Sequence, residues 1–436
     1  MASEVYEPSI RRQEPLMSAG LAGALDGEEF LESFRRLSEF GAVVDGGVDR
    51  EAATRADGEQ RAWFSALLQR HGFRVARDPV GNLFGLYEFS PGAPWVLTGS
   101  HLDSQPTAGR FDGAYGVLAS AFACFRVVER LRADGIKPAL NIAVVDWFNE
   151  EGSRFKPSMM GSAVFTGKMT RDTALATRDR AGESVASALD ELNERGDFEG
   201  MDVRSYAEIH VQQGRSMENE GITIGLVNAT WAARKFELEV IGEQAHVGSA
   251  AMVDRRDALL GAAKLVVAAR ELAESYPEGR LHASVGELDV YPNSAVTLAS
   301  RATVLFDMRS PDVEVIDDAE RRLTDIRAEI ERTARVQIRQ VSEHRWDLNA
   351  YQSEGVDLAR DVAEGLGLRV AEVMTVAGHD STNMKDITPS VMLFVPSVDG
   401  VSHNVKEFTR DTDLVAGLDV LEGVVARLAD GALLAK

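Results

Sequence analysis

Residues 95–147 read WVLTGSHLDSQPTAGRFDGAYGVLASAFACFRVVERLRADGIKPALNIAVVDW, and this stretch sets the fold class. Its two ends, Trp95–Thr98 and Asn141–Trp147, are largely apolar, β-branched and bounded by turn residues, which predicts two buried strands. Between them, Gly116 to Leu131 predicts a mostly buried helix. A strand, a helix and a second apolar strand together predict an α/β domain with a mainly parallel sheet covered on both faces.

A different pattern begins near Trp231 and predicts a second, smaller domain. Lys235–Val240 alternates strictly, as a half-buried strand does. The segment from Arg256 to Leu272 predicts a helix with one buried apolar stripe, made of Leu259, Ala262, Ala263, Val266 and Ala269. Further elements are predicted at 283–290 (strand), 302–309 (strand), 315–333 (helix) and 336–341 (strand). This β-α-β-β-α-β order is that of a ferredoxin-like α+β domain.

The strand predicted at 391–395 returns to the first pattern, so the smaller domain is an insertion in a large one. We predict a large domain made of residues 1–230 and 342–436, and an inserted domain at 231–341. Residues 1–30 show no periodicity and predict a loose N-terminal arm.

Composition restricts the partners and the compartment. The chain has 436 residues and a formal net charge of −22, which disfavours nucleic acid and anionic membranes as partners. Cys124 is the single cysteine, so there is no intramolecular disulfide framework and no cysteine-based zinc site. Neither a signal-like segment nor an apolar run of membrane-spanning length is visible, and we predict a cytoplasmic protein.

Residues able to bind metal ions follow the predicted strands. In Gly99-Ser-His101-Leu-Asp103, alternate residues at a strand end point the same way, so His101 and Asp103 can address one site. Glu150 and Glu151 follow the next strand, and two adjacent carboxylates are costly to bury without a cation. The full candidate set is His101, Asp103, Asp112, Glu150, Glu151, His210 and His403. His and carboxylates without Cys suit Zn²⁺ or a similar ion, although single residues of this kind are more often caps or solvated groups. The spacing alone leaves both interpretations open.

These motifs occur in the order of a known family. They are Gly99-Ser-His-Leu-Asp103, Arg110-Phe-Asp-Gly113, Phe148-Asn-Glu-Glu-Gly152, His210-Val-Gln-Gln-Gly214, Gly242-Glu-Gln-Ala-His-Val-Gly248, Phe306-Asp-Met-Arg309, Ala377-Gly-His-Asp380 and Gly400-Val-Ser-His403. From about residue 30 to the C-terminus, the chain resembles the two-metal amidohydrolases of the aminoacylase/carboxypeptidase superfamily. The most similar branch is that of N-carbamoyl-L-amino-acid hydrolases, allantoate amidohydrolases and β-ureidopropionases.

The resemblance implies a metal-dependent hydrolase that cleaves a linear C–N bond, amide or ureido, in an N-carbamoyl- or N-acyl-L-amino acid. It implies two divalent ions, with Zn²⁺ favoured and Mn²⁺, Co²⁺ or Ni²⁺ compatible. His101, Asp112 and His210 would bind one ion, and Asp112, Glu151 and His403 would bind the other.

The resemblance also implies roles for residues that do not bind metal. Glu150 would be the general base that activates a metal-bridging water, and Asp103 would orient His101. The inserted domain would be both a lid and a homodimer interface, with His246 stabilising the oxyanion, commonly in the neighbouring subunit's site. Arg309 would bind the carboxylate of a small amino-acid-derived substrate, and Gln213 would bind its ureido or amide group.

The sequence departs from the branch's pattern in three places, of which the first removes a negative charge beside the metal-binding His210 and the other two lie in the substrate-contacting segment. Gln212 stands where Glu is usual, Val296 where an Asn normally contacts the substrate, and Ala299-Ser300 where Pro-Gly is usual. An apolar Val296 favours a hydrophobic N-acyl group over a polar ureido group. The alternatives are a peptidase or N-acyl amino acid amidase of the same superfamily, and a catalytically silent binding protein. The intact Glu150 and the complete ligand set weigh against the silent protein.

Overall fold

The computed structural model describes residues 25–434, which form two β-sheets and the helices that cover them. The strands, in chain order, are β1 (Arg74–Arg77), β2 (Leu83–Tyr87), β3 (Trp95–His101), β4 (Asn141–Trp147), β5 (Val203–Val211), β6 (Ile224–Thr230), β7 (Ala232–Ile241), β8 (His282–Tyr291), β9 (Arg301–Ser310), β10 (Gln337–Trp346), β11 (Asn349–Ala350), β12 (Val370–Thr375) and β13 (Ser390–Val395). The α-helices are α1 (Gly27–Leu37), α2 (Arg55–Arg70), α3 (Ala114–Ala133), α4 (Met160–Phe165), α5 (Arg171–Ala176), α6 (Val185–Glu191), α7 (Ser216–Glu220), α8 (Ala258–Glu274), α9 (Val313–Ala334), α10 (Ser353–Gly365), α11 (Asp380–Met384) and α12 (Asp411–Ala429). None of these helices is long and apolar enough to cross a membrane.

The larger sheet has the strand order β1-β2-β4-β3-β5-β13-β6-β11, with β12 also paired to β6. Its centre, β4-β3-β5-β13, is parallel, and antiparallel pairs lie toward both edges. In β4, Val144 packs into the core formed with α3 and α12, while Val145 packs with Phe84 and Trp147 on the opposite face. Both faces are therefore buried, which explains the continuous apolar strands and confirms the predicted α/β class.

The N-terminal prediction is wrong from Gly27 onward, because α1 begins there. Asp26 caps this helix by accepting hydrogen bonds from the N–H groups of Glu28 and Glu29, both at 3.0 Å. The apolar side chains of α1, among them Phe30 and Phe34, are buried beside α3. The short apolar repeat in a charged segment hid this helix from the periodicity argument. The remainder of the predicted arm, residues 1–24, lies outside the described residues.

The smaller sheet has the antiparallel order β10-β7-β9-β8, and α8 and α9 cover one face of it. This is the predicted ferredoxin-like arrangement, and its core packs Phe236 and Val304 of the sheet against Leu265 and Leu323 of the helices. β10 continues to Trp346, past residue 341 where the sequence places the end of the inserted domain. The domain limits themselves stay a prediction.

The face of the smaller sheet away from its helices is turned toward the large domain. Arg309 donates from Nη1 to the carbonyl oxygen of Val376, at 2.9 Å, and Val376 belongs to the loop after β12. Glu287 on β8 forms ion pairs with Lys156 and Arg180 of the large domain. The inserted domain thus forms one wall of the cavity at the carboxyl ends of the central strands.

Candidate active site

A cavity of about 260 Å³ lies between the carboxyl ends of the central strands and the open face of the inserted sheet. The predicted site residues that line it are His101, Asp112, Glu150, Glu151, His210, Gln213, Arg309 and His403. Asp103 and His246, the other two predicted site residues, do not line the cavity. The position agrees with the rule that open α/β sheets bind ligands at the carboxyl ends of their strands.

The parallel pairing of β4, β3 and β5 brings the main candidates together. His101 is the last residue of β3, Glu150 lies just after β4, and His210 lies near the end of β5. Asp112 precedes α3 and is followed by Gly113, which has φ of 63°. A Cβ atom at Gly113 would lie 2.3 Å from Cε1 of His101, so glycine is required for this close approach.

Asp112 lies at the centre of the site, and its two carboxylate oxygens face different histidines. Oδ1 is 3.5 Å from Nε2 of His101 and 3.0 Å from Nε2 of His210. Oδ2 is 3.4 Å from Nε2 of His403, which is itself 3.3 Å from Oε2 of Glu151. The two candidate metal-donor groups are thus His101, Asp112 and His210, and Asp112, Glu151 and His403. Within each group the donor atoms all lie within 4.8 Å of one another. One carboxylate shared in this way would supply an oxygen to each group if both groups held an ion.

Main-chain carbonyls fix the tautomers of two of these histidines. Nδ1 of His101 is 3.0 Å from the carbonyl oxygen of Asp103, and Nδ1 of His210 is 2.9 Å from that of Val211. A carbonyl oxygen only accepts, so Nδ1 carries the hydrogen in both rings, and in the neutral imidazole Nε2 is the nitrogen left for a metal ion. Metal-binding histidines are commonly oriented by a hydrogen bond of this kind from the other ring nitrogen.

Asp103 supports the site in two ways, through its main-chain carbonyl oxygen and through its carboxylate. Its carbonyl oxygen orients His101, whereas its carboxylate Oδ1 is 3.6 Å from Nδ1 of His101. The carboxylate instead accepts the N–H groups of Glu150, at 3.1 Å, and Glu151, at 3.2 Å. Asp103 therefore connects the end of β3 to the turn that follows β4.

That turn explains how two adjacent glutamates reach the same cavity. Asn149 has φ of 54°, and its side-chain amide donates to the carbonyl oxygens of Phe155, at 2.8 Å, and Pro157, at 3.2 Å. β4 has already ended at Trp147 and the left-handed Asn149 turns the chain, so Glu150 and Glu151 do not alternate across a sheet. Both line the cavity, although consecutive positions in a strand would point in opposite directions.

The charge of the site fits divalent cations. Burial raises the pKa of Glu150 well above its ordinary value, and the charges of Asp380 and Glu151 raise it further. Burial and the charge of Asp112 also raise the pKa of Glu151, whose Oε1 is buried without a hydrogen-bond partner. Several buried carboxylates with unfilled acceptor capacity are costly unless a cation compensates them. The His and carboxylate donors suit zinc or a similar first-row ion.

Glu407 supports the site, and the sequence argument missed it. Its Oε1 accepts the N–H groups of Phe111, at 2.9 Å, and Asp112, at 3.0 Å, and so holds the main chain of the central carboxylate. Burial and the charge of Asp112 raise the pKa of Glu407 to about 8. A single Glu in a loop four residues after His403 carries no signal by which sequence could have found it.

The adjacent residues Gln212 and Gln213, which the sequence analysis singled out, have different surroundings. Gln213 donates from Nε2 to Oδ2 of Asp112 at 2.9 Å, beside the metal-donor groups. Gln212 does not face those groups: its amide donates to Oγ of Ser216, at 2.7 Å, and accepts the N–H of Met217, at 3.1 Å. The Gln that replaces the branch's usual Glu therefore holds the start of α7.

His246 lies away from the cavity of its own chain. It is exposed, and its Nδ1 accepts the N–H groups of Gly248, at 3.0 Å, and Ser249, at 3.2 Å. Because Nδ1 accepts these bonds, the hydrogen of the neutral ring is on Nε2. Within residues 25–434, Nε2 donates no hydrogen bond. Among those residues the structure does not bring His246 together with the metal-donor groups.

An α/β domain with two overlapping His/carboxylate groups under an inserted ferredoxin-like domain is the arrangement expected of a metal-dependent hydrolase. Comparisons with known protein families, sequences and structures agree with this class. Residues 97–427 match the model of peptidase family M20/M25/M40. A protein from Mycolicibacterium smegmatis is 53% identical over 411 residues, which are 93% of this chain and 94% of that protein. An N-carbamoyl-L-amino-acid amidohydrolase from Rhizobium meliloti is 32% identical over 409 residues, which are 93% of this chain and 97% of that protein.

A solved structure agrees as well. An amidase of the hydantoinase/carbamoylase family from Burkholderia vietnamiensis superposes with a TM-score of 0.87 at 33% identity, covering 94% of this chain and 100% of the other. The chain belongs to peptidase family M20/M25/M40 and is a hydrolase of that family. The resemblance inferred from the ordered motifs is confirmed.

Proposed function

We propose that the protein hydrolyses the linear C–N bond of an N-carbamoyl- or N-acyl-L-amino acid. The observation that carries the proposal is the position of Asp112 between two His/carboxylate groups, with Glu150 beside them in the same cavity. The similar protein from Rhizobium meliloti is named an N-carbamoyl-L-amino-acid amidohydrolase, which supports the choice of bond.

In the proposed reaction, Glu150 takes the proton of the attacking water and returns it to the leaving nitrogen. Its Oε2 lies 3.6 Å from Nε2 of His101, at the edge of the metal-donor groups. His101, Asp112 and His210 would hold one divalent ion, and Asp112, Glu151 and His403 would hold the second. When bound, two such ions supply charge that polarises the scissile carbonyl and lowers the pKa of water.

The substrate would lie between this centre and the inserted domain. Arg309 is on the cavity wall formed by that domain and would bind the substrate carboxylate. Gln213, already bonded to Asp112, would hydrogen-bond the carbamoyl or acyl amide. His246, with Nε2–H free, would stabilise the oxyanion in the site of a second copy of the chain.

A homodimer through the inserted domain is part of this proposal. The exposed surface of α8 carries several apolar side chains, among them Leu259, Leu260, Val266 and Val267. The prediction that Leu259 and Val266 are buried is therefore wrong, whereas Ala262 and Ala269 are buried as predicted. An apolar patch on one helix is typical of an interaction surface. Zinc as the leading metal and a cytoplasmic location stay predictions.

Val296 favours an apolar acyl group as the second candidate for the cleaved substituent. Val296 is 59% exposed, and its carbonyl oxygen accepts the N–H of Val247, next to His246. The two segments are paired, so a loop that carries His246 into a partner's site brings Val296 with it. An apolar side chain there would contact an acyl chain well and leave the polar end of a ureido group without a partner.

A substrate panel tests the proposal. Metal-loaded protein is incubated with N-carbamoyl, N-acetyl and longer N-acyl L-amino acids and with allantoate, and free amino acid and ammonia are measured separately. We expect release of free amino acid, with Glu150→Gln reducing kcat by about 10² to 10⁴ while its metal content stays unchanged. Hydrolysis of ordinary dipeptides alone would favour a peptidase, and binding without turnover of any compound would favour a silent binding protein.

A further inference from the structure

Lys235 lies on the same cavity wall as Arg309 but has no role in the function proposed above. It is on β7, directly opposite Asp307 of β9, while Arg309 is two residues further along β9. Its Nζ lies 3.4 Å from Oδ2 of Asp307 and 5.2 Å from the centre of the Trp346 ring. Lys235, Arg309 and Trp346 all line the cavity that contains the metal-donor groups.

The guanidinium of Arg309 already has partners. Its Nε and Nη2 donate to the two carboxylate oxygens of Asp307, each at 2.9 Å, and its Nη1 donates to the carbonyl oxygen of Val376 at 2.9 Å. The fork of N–H groups that Arg normally offers to a carboxylate is therefore filled by Asp307. Burial raises the pKa of Asp307, but its bonds with Arg309 overcome this and leave the pKa below its ordinary value.

An ionised Asp307 neutralises Arg309, so the net positive charge on this wall is that of Lys235. An ammonium group has three donors, and one of them is directed toward Asp307. Partial burial lowers the pKa of Lys235 below its ordinary value, which is a cost of keeping a charge in this position. An anion entering the cavity would compensate that cost, and Arg309 retains N–H groups on the side away from Asp307 to share it.

We infer that Lys235 is a specificity-determining residue that binds the substrate carboxylate together with Arg309. The inference rests on the proposed function and deepens it: the enzyme takes amino-acid derivatives with a free α-carboxylate, and the anchor is a pair of cations. The ring of Trp346 holds the lysine stem and ammonium over the cavity. Asp307 fixes the separation of the two cations because it pairs with both.

The test separates KM from kcat with two matched substrates. An N-acyl amino acid that the wild type hydrolyses is compared with its α-carboxamide, which lacks the negative charge. We expect Lys235→Met to raise KM for the carboxylate substrate about 10-fold or more, because a hydrogen bond to a charged group is lost. The kcat should stay within about two-fold, and KM for the carboxamide should be unchanged. Lys235→Arg, which keeps a cation, should recover most of the loss.

Arg339→Met is the matched control. Arg339 on β10 is also a cation paired across strands of the inserted sheet, with Glu239, but it does not line the cavity. We expect its KM values to equal those of the wild type. An equal rise of KM for carboxylate and carboxamide in Lys235→Met, or a loss confined to kcat, would show that Lys235 only supports Asp307 and would overturn the inference.

The outcome is distinguishable from failure of the proposed function. If the wild type hydrolyses no N-carbamoyl or N-acyl amino acid, the proposed function is wrong. Without turnover, KM and kcat of the variants cannot be compared. Binding of an N-acyl amino acid to wild-type and Lys235→Met protein, measured by calorimetry, still tests the carboxylate contact in that case. Equal affinities there would overturn the inference by itself.

Discussion

At the scale of single residues, the site depends on how Asp112 is held. Its carboxylate has to face two groups of donors at once, and several neighbours fix it. Ser402 donates to Oδ2 at 2.9 Å, Gln213 donates to the same oxygen, and Glu407 accepts the main-chain N–H. Supporting contacts of this kind commonly change metal affinity about 10- to 100-fold when they are removed.

Glu407→Ala tests this support. The change leaves the buried N–H groups of Phe111 and Asp112 without an acceptor, at a cost of about 1–3 kcal/mol for each unsatisfied group. We expect the affinity for Zn²⁺, measured by chelator competition, to fall about 10- to 100-fold while the far-ultraviolet circular dichroism is preserved. Glu407→Gln keeps an acceptor oxygen and should lose much less. Equal affinities in the wild type and both variants would contradict the supporting role.

At the scale of secondary-structure elements, a buried ion cluster holds the strand ends in place. Glu194 accepts hydrogen bonds from Arg61 on α2, at 3.1 Å, and from Arg77 on β1, at 2.7 Å. Arg61 also pairs with Asp146 on β4 at 2.5 Å. Asp146 in turn accepts the N–H of Leu102 at 2.9 Å, next to the end of β3 that carries His101. The cluster thus connects elements that position the site.

The cluster predicts a pH dependence of stability. Burial would raise the pKa of Glu194, but Arg61 and Arg77 outweigh it and leave the pKa below the ordinary 4.5. A lowered folded-state pKa gives stability that is complete above pH about 4.5 and is lost as the pH falls through the folded value. In urea unfolding at pH 7, Glu194→Gln should be less stable than the wild type by about 1–3 kcal/mol. The difference should shrink below pH about 4.5. A difference that does not change with pH would contradict this account.

The inserted domain is joined to the large domain by ion pairs of Glu287 with Lys156 and Arg180. Lys156 follows the Glu150–Glu151 turn in the chain, so these pairs connect the domain directly to the site. Exposed pairs contribute about 0.2–1 kcal/mol each, so we expect Glu287→Gln to raise KM two- to five-fold with little change in stability. Glu239→Gln removes a pair within the inserted domain and is the control. Equal KM values in both variants would show that the interdomain pairs do not affect closure.

Much of this arrangement was predictable, and the exceptions have physical reasons. Buried strands such as β4 were predicted because both of their faces are apolar, and the ordered motifs predicted the donors around Asp112. Glu150 and Glu151 both line the cavity after a turn at the left-handed Asn149, and hydrophobic periodicity does not reveal such a turn. Glu407 and Lys235 act through three-dimensional proximity alone. His246 does not line the cavity of its own chain, so its proposed role would require a second copy.

At the scale of the whole molecule, the acidic residues occupy two kinds of location, the surface and the buried site. Most of the net charge of −22 belongs to the surface. A small part is buried in the site, where Asp103, Asp112 and Glu150 are almost inaccessible to solvent. Buried carboxylates repel one another, so bound cations should stabilise the folded state by mass action. On the opposite wall, Asp307 neutralises Arg309, so the net positive charge that the proposed function assigns to an anionic substrate is that of Lys235.

The central claim is that a two-ion site centred on Asp112 performs hydrolysis of an N-carbamoyl- or N-acyl-amino acid. The direct measurement titrates metal-free protein with Zn²⁺ or Mn²⁺ and records bound metal per chain and hydrolysis rate in the same samples. We predict that the rate rises to its maximum as about two ions bind per chain. His210→Ala and His403→Ala should each lose one ion, and Asp112→Ala should lose both. Full activity in the metal-free protein, or two ions retained by Asp112→Ala, would contradict the account.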